Sequence, residues 1–160
     1  MEAKDYMQRA LNLAKTAFAQ DEVPIGCVIV DPVTEEIVAG TYNLSQHVED
    51  ATAHAEIKAI QMACLKLKTN RLRGLDMYVT LEPCTMCAAA ISFARIERLF
   101  FGARDEKGGA VVSGVKFYEQ KTCHHRPQVF GGILEDECSQ ILKDFFQGKR
   151  TANRKGGQPQ

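Results

Sequence analysis

Met77-Tyr78-Val79-Thr80-Leu81 runs through Glu82 into Pro83-Cys84-Thr85-Met86-Cys87-Ala88-Ala89-Ala90, and this junction organises the whole chain. The first five residues are of the apolar, β-branched and aromatic kind that fills strands. Pro83 suits the first turn of a helix, which the alanines carry to about Phe93. A further strand, Leu99–Gly102, comes next. Upstream, Ile57, Ile60, Cys64 and Leu67 mark the buried stripe of a helix from about His54 to Lys68. Before that, Ile25–Val30 and Glu36–Ala39 form a hairpin around Asp31-Pro32, preceded by an amphipathic helix over roughly residues 3–20. Downstream, Ala103 to Pro127 is irregular and glycine-punctuated. Gln128–Phe130 adds a short strand, and Ile133 to about Gln147 makes a last helix with Leu134, Cys138, Ile141, Leu142 and Phe145 inside. Helices alternating with strands predict an α/β fold of three layers, α/β/α. The front hairpin makes the sheet mixed.

The 160 residues are enough for one domain with a real core, and 45% hydrophobic against 25% charged excludes a disordered chain. The longest charge-free stretch, Pro83–Ala94, is 12 residues, whereas a membrane helix needs about 20. The acidic start, Met1-Glu2-Ala3-Lys4-Asp5, has no apolar run behind it, so we expect no secretory signal and a cytoplasmic protein. Twenty basic residues balance 20 acidic ones, but unevenly: Lys143, Lys149, Arg150, Arg154 and Lys155 against Asp144 give residues 143–160 a local +4. The reading is a domain over 1–150 with a basic tail over 151–160. A second basic run is Lys66, Lys68, Arg71 and Arg73. Solvated helix ends are often basic, so these runs alone do not establish a polyanionic partner.

His54-Ala55-Glu56 and Cys84-Thr85-Met86-Cys87 carry the chemistry. Two cysteines three apart at a helix start place both sulfurs on one face, where the helix N-terminus favours thiolate. With the His54 imidazole they form a set suited to Zn²⁺. No fourth ligand stands at comparable spacing, and a catalytic zinc keeps that position open for water. Glu56 would sit beside it as a proton carrier. The competing readings are a redox Cys-x-x-Cys pair, which leaves His54 and Glu56 unexplained, and a non-catalytic nucleic-acid-binding module with structural zinc. The other cysteines read as thiols, with Cys27, Cys64 and Cys138 in the core.

His-x-Glu followed by Pro-Cys-x-x-Cys resembles the signature of the zinc-dependent nucleobase deaminases. Val23-Pro24-Ile25-Gly26, Thr52–Glu56, Tyr78–Cys84, Phe101–Asp105 and the close from Gly132 to Arg150 are similar to the bacterial tRNA wobble-adenosine deaminases of the cytidine deaminase-like superfamily. The resemblance implies a five-stranded sheet, a homodimer and one Zn²⁺ per chain held by His54, Cys84 and Cys87. It implies hydrolytic deamination of adenosine to inosine at the wobble position of a tRNA anticodon stem-loop, with Glu56 as proton shuttle. Asn43 would contact the purine, Val23, Pro24 and Ala55 would line the base pocket, and Arg104, Asp105, Phe145 and Arg150 would meet the RNA. A free-base or nucleoside deaminase acting on guanine or cytosine shares the zinc motif and the Asn43 position, so it is the alternative. Lys107–Val112 and Lys121–Arg126 depart from the family pattern.

Two further signals stay open at this point. Cys123-His124-His125 reads as a loop, with a second metal site as the alternative. Phe145 and Phe146 are adjacent on one helix and cannot both face the core, so one is free to meet a partner.

Overall fold

The computed structural model describes residues 1–156, with side chains through residue 153. Its elements are α1 (Ala3–Ala19), β1 (Gly26–Asp31), β2 (Glu36–Tyr42), α2 (Ala55–Leu67), β3 (Asp76–Leu81), α3 (Thr85–Phe93), β4 (Arg98–Ala103), a 3₁₀ turn (Phe117–Glu119), β5 (Gln128–Gly131) and α4 (Glu135–Gly156). The five strands form one sheet in the order β2-β1-β3-β4-β5. β1 runs antiparallel to both β2 and β3, while β3, β4 and β5 are parallel. The sheet is therefore mixed: β1, the first strand of the front hairpin, runs against the other four.

Strand alternation builds two cores, one on each face. Cys27 and Ile29 of β1, Met77 and Val79 of β3, and Leu99 and Phe101 of β4 pack beneath α2 and α3, with Ala59, Ala63, Ala88 and Ile91. Val28, Val30, Tyr78 and Phe100 point the other way, against Met7, Ala10 and Ala14 of α1 and Cys138 of α4. Four rings cross the strands on that second face: Tyr6 on Tyr78, Tyr78 on Phe100 and Phe100 on Phe130, with centroids 5.1, 4.3 and 4.9 Å apart. This is the three-layer arrangement that the alternating pattern predicts. At Gly26 the backbone of α1 comes so close that a Cβ would collide with the Ala10 carbonyl, so only glycine lets the strand enter there.

Several boundaries differ from the sequence reading: β2 runs on to Tyr42, three residues past Ala39, and the last helix starts at Glu135 rather than Ile133. α3 begins at Thr85 with Cys84 as its N-cap. Pro83 stays outside the helix, and its carbonyl accepts the Ala110 amide at 2.9 Å. The last helix continues past Gln147 to Gly156. The apolar stripe ends near Phe146, but no proline interrupts the Lys, Arg and Ala residues that follow, so backbone propensity carries the helix on. The side chains of Arg154 and Lys155, part of the expected basic tail, lie outside the described residues.

Candidate active site

The start of β1, the end of β2 and the end of β3 meet at one edge of the sheet: Gly26 pairs with Tyr42, and its amide donates to the Thr80 hydroxyl at 3.1 Å. Helices α2 and α3 both begin at this edge. His54 is the N-cap of α2, and Cys84 the N-cap of α3, with Cys87 in its first turn. Two positive helix ends thus converge where thiolates are wanted.

The His54 Nδ1 stands 3.7 Å from the Cys84 sulfur and 3.6 Å from that of Cys87. All three candidate ligand atoms lie within 4.8 Å of one another, the one such His/Cys/Asp/Glu group among the described residues. Ligands at the usual zinc–sulfur and zinc–nitrogen lengths around a tetrahedral ion stand about 3.6 Å apart. The donor set and its spacing therefore fit zinc. The neighbouring Cys87 thiol holds the Cys84 thiol down to about 4, with the His54 imidazole adding to the effect, so Cys84 stands as a thiolate. That sulfur in turn raises the imidazole above its ordinary value.

Glu56, in the first turn of α2, is 4% exposed. Burial pushes its carboxyl up to about 7, and the Cys84 thiolate adds to the rise. Cys27 is fully buried, its thiol pushed well up by burial and by the Glu56 charge. A carboxyl poised near neutrality is suited to moving protons in both directions.

Above the triad opens a cleft of about 500 Å³ lined by Val23, Ile25, Asn43, Ser45, His54, Leu81, Arg104, Asp105, Leu142 and Phe146. A groove between α1 and α4 is no smaller, about 540 Å³, but it holds no cluster of metal-binding groups. Asn43 is 5% exposed, and its amide N–H donates to the Ile25 carbonyl at 3.0 Å. Its side chain makes no hydrogen bond to the described residues, so the carboxamide is left for a ligand. Val23 lines the wall, while Pro24 is buried behind it. Ala55 is sealed beneath, and its carbonyl accepts the Thr41 hydroxyl at 2.7 Å.

At the mouth, Arg104 is exposed and Asp105 folds back to accept the amides of Lys107 and Gly108 at 3.2 and 3.0 Å. Phe145 does not reach the cleft. It is buried against Phe18, edge to face at 5.6 Å, with the Lys149 ammonium 5.5 Å from its ring. Phe146 takes the lining position and is 44% exposed. Adjacent helical positions diverge by about 100°, so docking α4 through Phe145 turns Phe146 to the cleft. Arg150 is exposed on the outer turn, bonded to Gln147 at 2.9 Å, and Lys149 pairs with Asp21 at 2.6 Å.

Three buried carboxylates went unread in the sequence, Glu22 at 0% exposure, Asp76 at 1% and Glu82 at 2%, with Asp76 held by the Arg98 guanidinium. Glu22 accepts the amides of Gln46 and His47 and the His47 ring at 2.6 Å, binding the loop after Asn43 to the Val23-Pro24 turn. Burial opposes the Glu22 charge, but these hydrogen bonds outweigh it and hold the carboxyl below its ordinary range. The loop at Cys123 is tied internally: the Cys123 thiol and the Ser92 hydroxyl both donate to the His125 carbonyl, and the His125 ring bonds the Ile96 carbonyl at 2.7 Å.

The MafB19-like deaminase family profile matches residues 1–150. The chain is 54% identical over 149 residues to the tRNA-specific adenosine deaminase of Agrobacterium fabrum (strain C58), covering 93% of this chain and 97% of the relative. A solved structure described as biochemical and structural studies of A-to-I editing by tRNA:A34 deaminases at the wobble position of transfer RNA superposes with a TM-score of 0.84 at 55% identity, covering 86% of this chain and 99% of that one. A guanine deaminase from Nitrosomonas europaea superposes with a TM-score of 0.79 at 21% identity, over 90% of this chain and 84% of its own, and shares the fold alone. On its fold, its His-Cys-Cys cluster and these likenesses, the chain belongs to the tRNA-specific adenosine deaminase family within the MafB19-like deaminases.

Proposed function

We propose that this protein deaminates adenosine to inosine at the wobble position of a tRNA anticodon, using one zinc ion per chain. The observation that carries the reading is that one cleft joins four things. His54 lines its base with the Cys84 and Cys87 sulfurs within 4.8 Å of its ring nitrogen, the Asn43 amide lies on its wall, and Arg104 and the exposed Phe146 ring at its mouth. A free base needs only the interior. A cation and an aromatic ring at the rim suit the phosphate and neighbouring base of a strand whose adenosine is flipped in.

His54, Cys84 and Cys87 would hold the zinc, which when bound supplies the Lewis acidity that makes water nucleophilic near neutral pH. Asn43 offers both donor and acceptor to the purine edge, and Val23, Ile25 and Leu81 hold the ring by apolar contact. Glu56 takes one proton from the attacking water and passes it to the ring nitrogen, then takes the second from the hydroxyl left on the attacked carbon and passes it to the departing amine. Water and adenosine thus become inosine and ammonia.

A homodimer is supported by exposed apolar side chains on the two helices that begin at the site: Leu65 is 81% and Phe93 70% exposed, with Met62 and Leu67 beside them. No helix among the described residues is long and apolar enough to cross a membrane. None of the six cysteines is in a disulfide, consistent with a cytoplasmic location. The domain over 1–150 would do the chemistry, with the basic residues beyond it extending the RNA surface. Ammonia release from an anticodon stem-loop with adenosine in the first anticodon position tests the reading against free adenine, guanine and cytosine. Release from the RNA alone is expected; release from a free base alone would overturn it.

A further inference from the structure

Glu82 sits in the turn between β3 and α3, two residues before Cys84, and is 2% exposed. It neither lines the cleft nor belongs to the metal cluster. One of its carboxylate oxygens accepts the amides of Val111, Val112 and Ser113 at 3.0, 2.9 and 3.0 Å. The other accepts the Asp105 amide and the Ser113 hydroxyl, each at 3.0 Å. The segment from 105 to 113 therefore wraps one anion with its own backbone, a nest closed around a buried charge. Gly109 is the tightest point: a Cβ there would stand 2.5 Å from the Glu82 carboxyl carbon and 2.5 Å from the Asp105 carbonyl. Between β4 and the 3₁₀ turn this segment has no helix or strand of its own to hold it.

Arg104 and Asp105 leave that nest directly into the cleft mouth. The turn that carries Cys84 at its far end thus also grips the loop carrying the rim. We infer that Glu82 is a positioning residue, whose carboxylate registers the Arg104–Asp105 rim to the metal turn so that the substrate strand meets a preorganised mouth. The inference deepens the deaminase reading and rests on it. The charge matters because a carboxamide has a single acceptor oxygen and would turn an NH₂ toward amides that have nothing to accept with.

Glu82→Gln should raise KM for the anticodon stem-loop at least tenfold, lower kcat much less, and keep one zinc per chain. Glu82→Asp, which keeps the charge, should recover part of the KM. Arg104→Ala should raise KM in the wild-type background and add little in Glu82→Gln, because the rim is already displaced. Amide hydrogen exchange should quicken at least tenfold at Val111, Val112 and Ser113, while α2 and β3 stay protected. Should Glu82→Gln not fold, Ser113→Ala removes one bond to the oxygen that takes the Asp105 amide and should give a smaller shift of KM in the same direction. Equal changes in kcat and KM, additive effects of Glu82→Gln and Arg104→Ala, or unchanged exchange across 111–113 would each overturn the inference. A wild-type enzyme inert toward the stem-loop would instead overturn the deaminase reading, and the inference with it.

Discussion

Asn43→Ala isolates the reading of the base from the building of the pocket. The backbone amide of Asn43 donates to Ile25, and alanine keeps that bond, so the turn after β2 should hold its shape. What disappears is the carboxamide of a residue 5% exposed, whose hydrogen-bonding groups have no partner among the described residues. A purine seated against alanine leaves its own polar edge unpaired and desolvated, at a cost of about 1–3 kcal/mol. At about 1.4 kcal/mol per tenfold, kcat/KM should fall roughly 5- to 150-fold. The melting temperature should hardly move, because the lost partner belongs to the substrate. Asn43→Asp keeps the acceptor and the volume but loses the donor, so it reports which half of the amide matters. The assay is steady-state ammonia release from the stem-loop, with zinc content and a melting curve measured alongside. Unchanged kinetics in Asn43→Ala would show that the residue is only a turn former and that the base is read elsewhere. A large fall in melting temperature would show that the side chain is structural.

The remaining predictions concern the proton carrier, the ligands and acid stability. Glu56→Gln should retain zinc and fold but lose about 10²–10⁴ in turnover; a near-wild-type rate would assign the proton transfers to another group. Cys87→Ser should lose most of its zinc by elemental analysis, and an unchanged content would remove Cys87 from the ligand set. Glu22 has a folded carboxyl below its ordinary value of 4.5, so its stabilising contribution is present above that pH and lost as pH falls through the folded value. Wild type should therefore resist urea better than Glu22→Gln at pH 7, and the gap should narrow below about pH 4.5; a gap that stays constant into acid would refute the linkage.

Local rules made much of this molecule legible from its sequence. Hydrophobic period identified α1, α2 and the apolar strands because each buries one face of a regular element. Spacing brought Cys84 and Cys87 to one side of a helix start, and it set Glu56 two residues after His54, in the first turn of α2. Those relations span a few residues, and backbone geometry alone enforces them. The rest depends on partners distant in the chain. Whether Phe145 or Phe146 reaches the cleft depends on how α4 docks against Phe18, which no periodicity on α4 encodes. Glu22 and Glu82 look like ordinary surface acids until the amides at 46–47 and 105–113 fold over them. Even the metal cluster needs the order β2-β1-β3, since only that order sets the N-caps of α2 and α3 side by side. Short-range spacing selected the chemistry, and long-range packing decided where the substrate meets it, because a buried hydrogen bond is specified by both of its partners.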